Sequence, residues 1–145
     1  MIRVMVSGYF DPLHAGHIRL FQEAKRLGDR LIVVVNGDGA TRQKKGWNFM
    51  PVDQRVEILK ALKVVDDVVV AVDEDTTVAR TLDLVAPDVF ATGASPGELP
   101  ESEWAVADRL GIQIAWRVGG TRISSSSALV RNAAYDMTTP EPRDE

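Results

Sequence analysis

The chain alternates short apolar runs with stretches in which apolar residues recur at helical spacing. Runs of β-branched and other apolar residues bounded by glycine or polar residues predict five strands. These predicted strands occupy residues 2–6, 31–35, 64–72, 87–91 and 112–116. Helices are predicted at residues 18–27, from residue 51 onward, from a cap at Asp75 or Thr76 to residue 84, at residues 101–110, and from residue 128.

This strict alternation predicts an α/β fold. We expect a Rossmann-like, doubly wound sheet of about five parallel strands with helices on both faces. Ligands of such sheets bind outside the carboxyl ends of the strands. The loops after residues 6, 35, 91 and 116 should therefore gather on one rim, and residues 40–49 are predicted to be a polar loop there, carrying Arg42, Lys44 and Lys45.

The most informative stretch is GYFDPLHAGH, residues 8–17, between the first strand and the first helix. Its two glycines let the backbone turn and approach a ligand, and the first turn of a helix offers unpaired N–H groups to an anion. His14 and His17 are the only histidines of the chain and lie three residues apart, on one face of the helix start. Two imidazoles beside such amides suit stabilisation of negative charge during phosphoryl or nucleotidyl transfer.

Length and composition narrow the classes of protein. With 145 residues, 45% of them hydrophobic, one domain is expected, at residues 1–135, followed by a flexible tail at 136–145. A net charge of −4 argues against a general attraction to nucleic acid or to an anionic membrane. The absence of cysteine, of a signal-peptide pattern and of a long apolar run predicts a cytoplasmic protein.

Two motifs resemble those of a known family. Residues 8–17 resemble the G-x-F-D-x-x-H-x-G-H signature of the cytidylyltransferase-like nucleotidyltransferases, and ISSS at residues 123–126 resembles their second motif, I-S-T-T or I-S-S-S. The resemblance covers residues 2–132 and is strongest to glycerol-3-phosphate cytidylyltransferase, heptose-1-phosphate adenylyltransferase and archaeal-type FAD synthetase. It implies a homodimer in which the phosphate of a small acceptor, of the sugar phosphate or glycerol phosphate type, attacks the α-phosphate of ATP or CTP. Pyrophosphate is then released, with Mg²⁺ as the cofactor and no direct protein ligand to the metal.

The resemblance also implies roles for individual residues. His14, His17, Lys44 and Lys45 are assigned to catalysis, with the lysines on a mobile basic loop and one of them sufficient. Asp38 and Asp11 are assigned to the acceptor side, although Asp38 also suits a turn and Asp11 also suits bracing of the loop. The nucleotide- and phosphate-binding set comprises Gly8, Tyr9, Phe10, Gly16, Arg55, Gly93, Arg122, Ser124, Ser125 and Ser126.

Several alternatives stay open at this point. Arg55 also suits an exposed salt bridge on its helix, and one of the serines suits a helix cap. Relatives of the glycerol phosphate type carry arginine where this chain has Gly119, so Arg117 or Arg122 is the candidate replacement. The run from residue 73 resembles the heptose-type enzymes more closely, which favours ATP over CTP.

Other functions share the same corner or the same fold. A pantetheine-phosphate, nicotinamide-mononucleotide or FMN adenylyltransferase is the alternative within the enzyme class. From another class, a non-catalytic nucleotide-binding regulatory module would hold nucleotide without releasing pyrophosphate. The chain could also be the transferase half of a bifunctional enzyme, although we expect a free-standing protein.

Overall fold

The computed structural model of the chain describes residues 1–120, in which five strands form one parallel sheet. The strands are β1 (Arg3–Gly8), β2 (Arg30–Val35), β3 (Asp67–Val70), β4 (Val89–Ala91) and β5 (Gln113–Ala115). Their order across the sheet is β3-β2-β1-β4-β5. This is the doubly wound arrangement that the alternating pattern predicts.

Within residues 1–120, five α-helices connect the strands. They are α1 (Ala15–Lys25), α2 (Asp38–Lys45), α3 (Val52–Lys60), α4 (Ala79–Val85) and α5 (Glu101–Leu110), and a 3₁₀ turn covers Pro96–Glu98. The predicted bounds of α5 agree with the structure. A glycine in the left-handed conformation ends this helix at residue 111, and such a glycine is a signal that sequence shows directly.

The sheet separates two hydrophobic cores, because consecutive strand residues point to opposite faces. Val4 and Val6 of β1 pack with Phe21 of α1 and Leu59 of α3 in one core. Met5, the residue between the two valines, belongs to the other core. That second core is completed by residues of α4 and α5, including Leu82 and Ala107. Helices therefore cover both faces, as predicted.

The sheet changes direction beside β1. The chain first moves from β1 to β2 and β3 on one side, then returns to place β4 and β5 on the other. In an open α/β sheet, ligands bind in the crevice outside the carboxyl ends of the strands at this point of reversal. The loop that follows β1, residues 9–14, lies at this point.

The structure corrects three details. Residues 38–45 form α2 instead of a polar loop, and only residues 67–70 of the predicted third strand pair in the sheet. The cap predicted at Asp75 or Thr76 is not used: the Asp73 carboxylate accepts from the N–H groups of Arg80 and Thr81 in the first turn of α4. The last predicted helix, from residue 128, and the predicted tail at 136–145 lie outside the described residues.

Candidate active site

The two histidines build the start of α1. His14 is the N-cap, and its Nδ1 accepts from the N–H of Gly16 at 3.1 Å. His17, three residues later, accepts the N–H of His14 at its own Nδ1, also at 3.1 Å. The two rings stack with their centroids 3.8 Å apart. One reciprocal capping arrangement therefore fixes both imidazoles at the positive end of a helix.

These backbone bonds determine which ring nitrogen carries the proton. An Nδ1 atom that accepts a hydrogen bond is unprotonated, so a neutral ring carries its proton on Nε2. Both Nε2 atoms then act as donors on the side of each ring away from the capping bonds. This tautomer suits a group that donates to phosphate oxygens.

Phe10 packs against the ring of His17. Its ring is 2% exposed and makes edge contacts with the ring of His17, at a centroid distance of 4.9 Å, and with that of Phe21. The side chain of Phe10 thus lies in the core, and the predicted contact of Phe10 with nucleotide stays a prediction for its backbone. Gly8 makes room for it, since a Cβ at residue 8 would come within 2.8 Å of the Phe10 ring.

Asp11 ties the corner to the segment before α3. Its carboxylate is completely buried, and it accepts from the N–H groups of Phe49 and Met50 at 2.7 and 2.6 Å. The structure therefore places Asp11 as the brace of the loop. The predicted role on the acceptor side would require this buried carboxylate to become accessible.

Arg55 is buried, and its guanidinium bonds four residues. It donates to the carbonyl oxygens of Tyr9 and Asn36 at 2.7 Å each and to that of Met50 at 3.0 Å. It also pairs with the Asp38 carboxylate at 2.7 Å. The side chain of Arg55 is 0% exposed, so the exposed salt bridge is excluded. Asp38, 34% exposed, remains accessible from the rim.

The structure separates the two candidate lysines at the end of α2. The Lys45 ammonium lies 5.5 Å from the centre of the Tyr9 ring and 5.1 Å from that of Trp47, and it donates to the carbonyl oxygen of Asp11. Burial lowers the pKa of Lys45 below its ordinary value; the Asp11 carboxylate opposes this shift and Arg55 adds to it. Lys44 is exposed. Of the two, Lys45 is held against the corner.

Tyr9 connects the corner to the loop that follows β3. Its hydroxyl donates to the carbonyl oxygen of Thr76 at 3.1 Å. Burial raises the pKa of the Tyr9 phenol, and the carboxylates of Glu103 and Asp75 add to this effect. Glu103 is itself a buried carboxylate that accepts from the N–H of Val78. Sequence reasoning missed Glu103, because it follows two polar residues at a helix start and has no periodic signal of burial.

The opposite side of the corner is formed by the loops after β4 and β5. Backbone bonds of 2.9 and 3.1 Å join Val118 to Thr92 and Arg117 to Ala94, and Gly93 lies exposed between the bonded residues of its loop. Four further residues predicted to bind nucleotide or phosphate, Arg122, Ser124, Ser125 and Ser126, lie outside the described residues.

Gly119 occupies a position where a larger residue would be strained. Its φ is +95°, and a Cβ there would approach the backbone of Leu20 in α1 to 3.1 Å. Its N–H donates to the carboxylate of Glu23 at 2.6 Å. The arginine of glycerol phosphate relatives has no equivalent at this position, whereas Arg117 is exposed on the rim.

Residues 1–120 contain neither a cluster of metal-ligating side chains nor a membrane-spanning helix. In this part of the chain, no three His, Cys, Asp or Glu side chains are grouped so as to hold a metal ion. No helix there is both long and apolar enough to span a membrane.

Comparison with known proteins gives a family match over most of the chain. The profile of the family described as cytidylyltransferase-like matches residues 5–131. The bifunctional protein HldE of Photorhabdus laumondii is 46% identical over 108 residues, which are 70% of this chain and 22% of that protein. The FAD synthase of Pyrococcus horikoshii is 44% identical over 96 residues, 63% of this chain and 62% of that one. The chain thus spans about a fifth of the length of the HldE relatives it matches.

A solved structure supports the same grouping. The lipopolysaccharide core biosynthesis protein of Thermoplasma volcanium superposes with a TM-score of 0.70 at 33% identity. The superposition covers 84% of this chain and 99% of that chain. This chain is therefore similar in fold and in sequence to nearly the whole length of the Thermoplasma volcanium protein.

Proposed function

The chain belongs to the cytidylyltransferase-like family, and from this premise we propose that it transfers a nucleotidyl group to the phosphate of a small acceptor. The observation that carries the proposal is the pair of histidines capping α1 at the point where the sheet reverses direction. A helix start with two imidazole donors is suited to phosphate oxygens. The same arrangement in a non-catalytic module would have no need of donors for growing charge.

In the proposed reaction, an oxygen of the acceptor phosphate forms a bond to the α-phosphorus of the nucleoside triphosphate. The bond between that phosphorus and the oxygen bridging to the β-phosphate breaks, and pyrophosphate leaves with the electron pair. His14 and His17 donate to the phosphate oxygens from Nε2 and stabilise the charge that develops there. Positioning and charge stabilisation supply the catalysis, and no protein nucleophile is needed.

Lys45 supplies a further positive charge in this proposal. Its ammonium is held beside the corner by two aromatic rings and the Asp11 carbonyl oxygen. A small shift of this flexible side chain brings the charge to the triphosphate. Mg²⁺ is proposed to enter with the nucleotide, because phosphate oxygens supply the hard ligands that this ion prefers; when bound, it neutralises the charge of the leaving pyrophosphate.

We favour ATP as the donor and a sugar phosphate as the acceptor. One relative is named FAD synthase, and FAD contains an adenylyl group. Another protein of the same fold is named for biosynthesis of lipopolysaccharide core, which is built from sugars. FMN is the second candidate acceptor, because of the 44% identity to the FAD synthase.

A nucleotide panel followed by a product assay tests this function. ATP, CTP, GTP and UTP are each added with Mg²⁺, and the proposed donor should raise the melting temperature by mass action. Pyrophosphate release is then measured with sugar phosphates, glycerol phosphate, choline phosphate and FMN as acceptors. Binding of a nucleotide without pyrophosphate from any acceptor would point to the regulatory module instead. If no nucleotide binds, the proposal is overturned.

A further inference from the structure

Asn36 is a polar residue buried at the rim, directly after β2. The residue is 3% exposed. Within residues 1–120 its side-chain nitrogen, Nδ2, is the buried polar side-chain atom that has no hydrogen-bond partner. Buried donors are nearly always paired, because an unpaired one loses its bonds to water and gains nothing in return. Such a group in a native protein calls for an explanation, and a ligand that accepts its hydrogen bond is one.

The backbone of Asn36 is fixed on both sides. Its N–H donates to the carbonyl oxygen of Gly8 at 2.9 Å, and its carbonyl oxygen accepts from Arg55 at 2.7 Å. These bonds extend the pairing of β2 with β1 by one residue. The unpaired amide is therefore attached to a rigid part of the rim, and a rotation of the main chain cannot relieve it.

The neighbours of Asn36 place it on the side of the corner opposite to β4. Gly8 of β1 is on one side, and Ala71, whose N–H donates to the carbonyl oxygen of Val35, is on the other. Gly37 follows at once, and a Cβ built there would meet nothing within 4 Å. Asn36 thus lies between the ends of β1 and β3, next to a glycine whose own surroundings are open.

The position of Asn36 on the β2 side of the corner is the part of the rim where we expect the acceptor. The reversal of the sheet lies between β1 and β4, where a nucleotide is expected. The β2 side of the histidines is then left for the acceptor, whose phosphate must lie in line with the α-phosphorus that it attacks. A side-chain amide there supplies a donor for an oxygen of the acceptor.

We propose that Asn36 is a specificity-determining residue that donates from Nδ2 to a hydroxyl oxygen of a polyol or sugar phosphate acceptor. This inference rests on the proposed function and deepens it. A polyol chain also occurs in FMN, so the shared chemistry is the hydroxyl group. A site built to bond a hydroxyl discriminates strongly against an analogue that lacks it, because its buried donor is then left unpaired.

The test compares Asn36→Ala and Asn36→Asp with the wild type, and Gln113→Ala serves as the control. Gln113 is an exposed amide at the first residue of the edge strand β5, which lies three strands away from β2 in the sheet. Both Asn36 variants should raise KM for the acceptor by about tenfold or more, a loss typical of one buried hydrogen bond. They should leave KM for the nucleotide unchanged, as should the control.

Two further measurements separate recognition from a structural role. The melting temperature of Asn36→Ala without ligand should equal or exceed that of the wild type, because an unpaired donor is removed. A series of deoxy sugar phosphates, each lacking one hydroxyl, is then tested as acceptors. For one of them, kcat/KM of the wild type should be as low as that of Asn36→Ala with the complete sugar phosphate, and Asn36→Ala should show no further loss with that analogue. The same measurements with FMN as the acceptor show whether the hydroxyl belongs to the ribityl chain instead.

The outcomes distinguish a failure of the Asn36 inference from a failure of the proposed function. If the wild type releases pyrophosphate and Asn36→Ala keeps the same KM for the acceptor, the Asn36 inference is overturned and the proposed function stands. A lowered melting temperature with both KM values raised together would show a structural role and would also overturn it. If the wild type binds nucleotide but uses no acceptor, the proposed function fails and the inference fails with it.

Discussion

At the scale of single residues, His14 and His17 combine two tasks. Each imidazole accepts a backbone N–H at Nδ1 and so completes the amino-terminal cap of α1. The same bonds leave the proton on Nε2, from which each ring is proposed to donate to a phosphate oxygen. A substitution therefore removes both a cap and a donor, and the two effects have to be separated by experiment.

The substitution His14→Asn separates the loss of the helix cap from the loss of the donor. We expect His14→Ala to lower turnover at least about a hundredfold, the scale of losing one preorganised donor, and to lower the free energy of unfolding by about 1 kcal/mol through loss of the cap. His14→Asn should restore the stability, because asparagine is a good N-cap, and should not restore turnover. His17→Ala should lose turnover to a similar extent. Near-normal turnover in all three variants would contradict the role of the pair.

Lys45 and Lys44 form a matched pair of variants. Lys45→Ala should lower kcat/KM at least about tenfold, because it removes a charge bonded to the corner. Lys44→Ala should stay within about twofold, as expected for an exposed charge screened by solvent. Steady-state kinetics with varied nucleotide measures both. Equal losses would mean that both lysines contact the triphosphate.

The lowered pKa of Lys45 predicts a pH dependence. Because the protonated form carries the charge, kcat/KM should fall as the pH rises through a value below that of an ordinary lysine. Lys45→Arg keeps its charge at every accessible pH and should not show this fall. A pH profile that is the same in the wild type and in Lys45→Arg would refute the assignment.

At the scale of elements, Arg55 connects α3 to the rest of the site. Its side chain bonds the end of β1 at Tyr9, the end of β2 at Asn36 and the first turn of α2 at Asp38. These bonds set where α2 begins, and so where Lys45 at the end of α2 meets the corner. Arg55 is a positioning residue in this structure.

Removing Arg55 should therefore be costly. Arg55→Ala leaves three carbonyl oxygens and a carboxylate without their donor, and we expect a loss of about 3–5 kcal/mol in the free energy of unfolding. Arg109→Ala is the control, because Arg109 pairs with Asp83 at 2.7 Å in an exposed ion pair; it should cost no more than about 1 kcal/mol. Urea denaturation of the two variants gives the comparison. Similar small losses would show that the buried bonds contribute little.

At the scale of the whole molecule, Glu103 links the second core to the rim. Its carboxylate reaches from α5 to the N–H of Val78, just before α4. Burial raises the pKa of this carboxyl group, against the opposing effect of the bond from Val78. Since the folded chain holds the proton more tightly than the unfolded chain, Glu103 stabilises the fold at low pH. This contribution is lost as the pH rises through the raised pKa.

Glu103→Gln tests this dependence. Glutamine keeps an acceptor oxygen for Val78 and cannot ionise. Between about pH 4 and neutral pH, the free energy of unfolding of the wild type should therefore fall relative to that of Glu103→Gln. Glu101→Gln, an exposed change in the first turn of the same helix, should run parallel to the wild type. Parallel curves for Glu103→Gln as well would show that the burial of this carboxylate does not affect its titration.

The helix α2 differs from the predicted polar loop, although signals for a helix are present in the sequence. Residues 38–45 begin with an aspartate in the first turn, end with basic residues and precede Gly46, which caps α2 in the left-handed conformation. This is the charge pattern that a helix dipole favours. The short helix was missed because its apolar residues are too few to show a helical period.

By itself, the sequence determined the parallel sheet with helices on both faces, the corner at residues 8–17 and the helix at Glu101–Leu110. These features follow from residues close together in the chain, because strand runs, helical periods and glycine ends are local patterns. Only the tertiary structure decided that Arg55 and Asp11 are buried braces, that Lys45 faces the corner and that the Asn36 amide is unpaired. Such choices depend on distant partners, as Tyr9 and Arg55 are 46 residues apart, and a long polar side chain turns toward whichever acceptors the folded chain brings within reach.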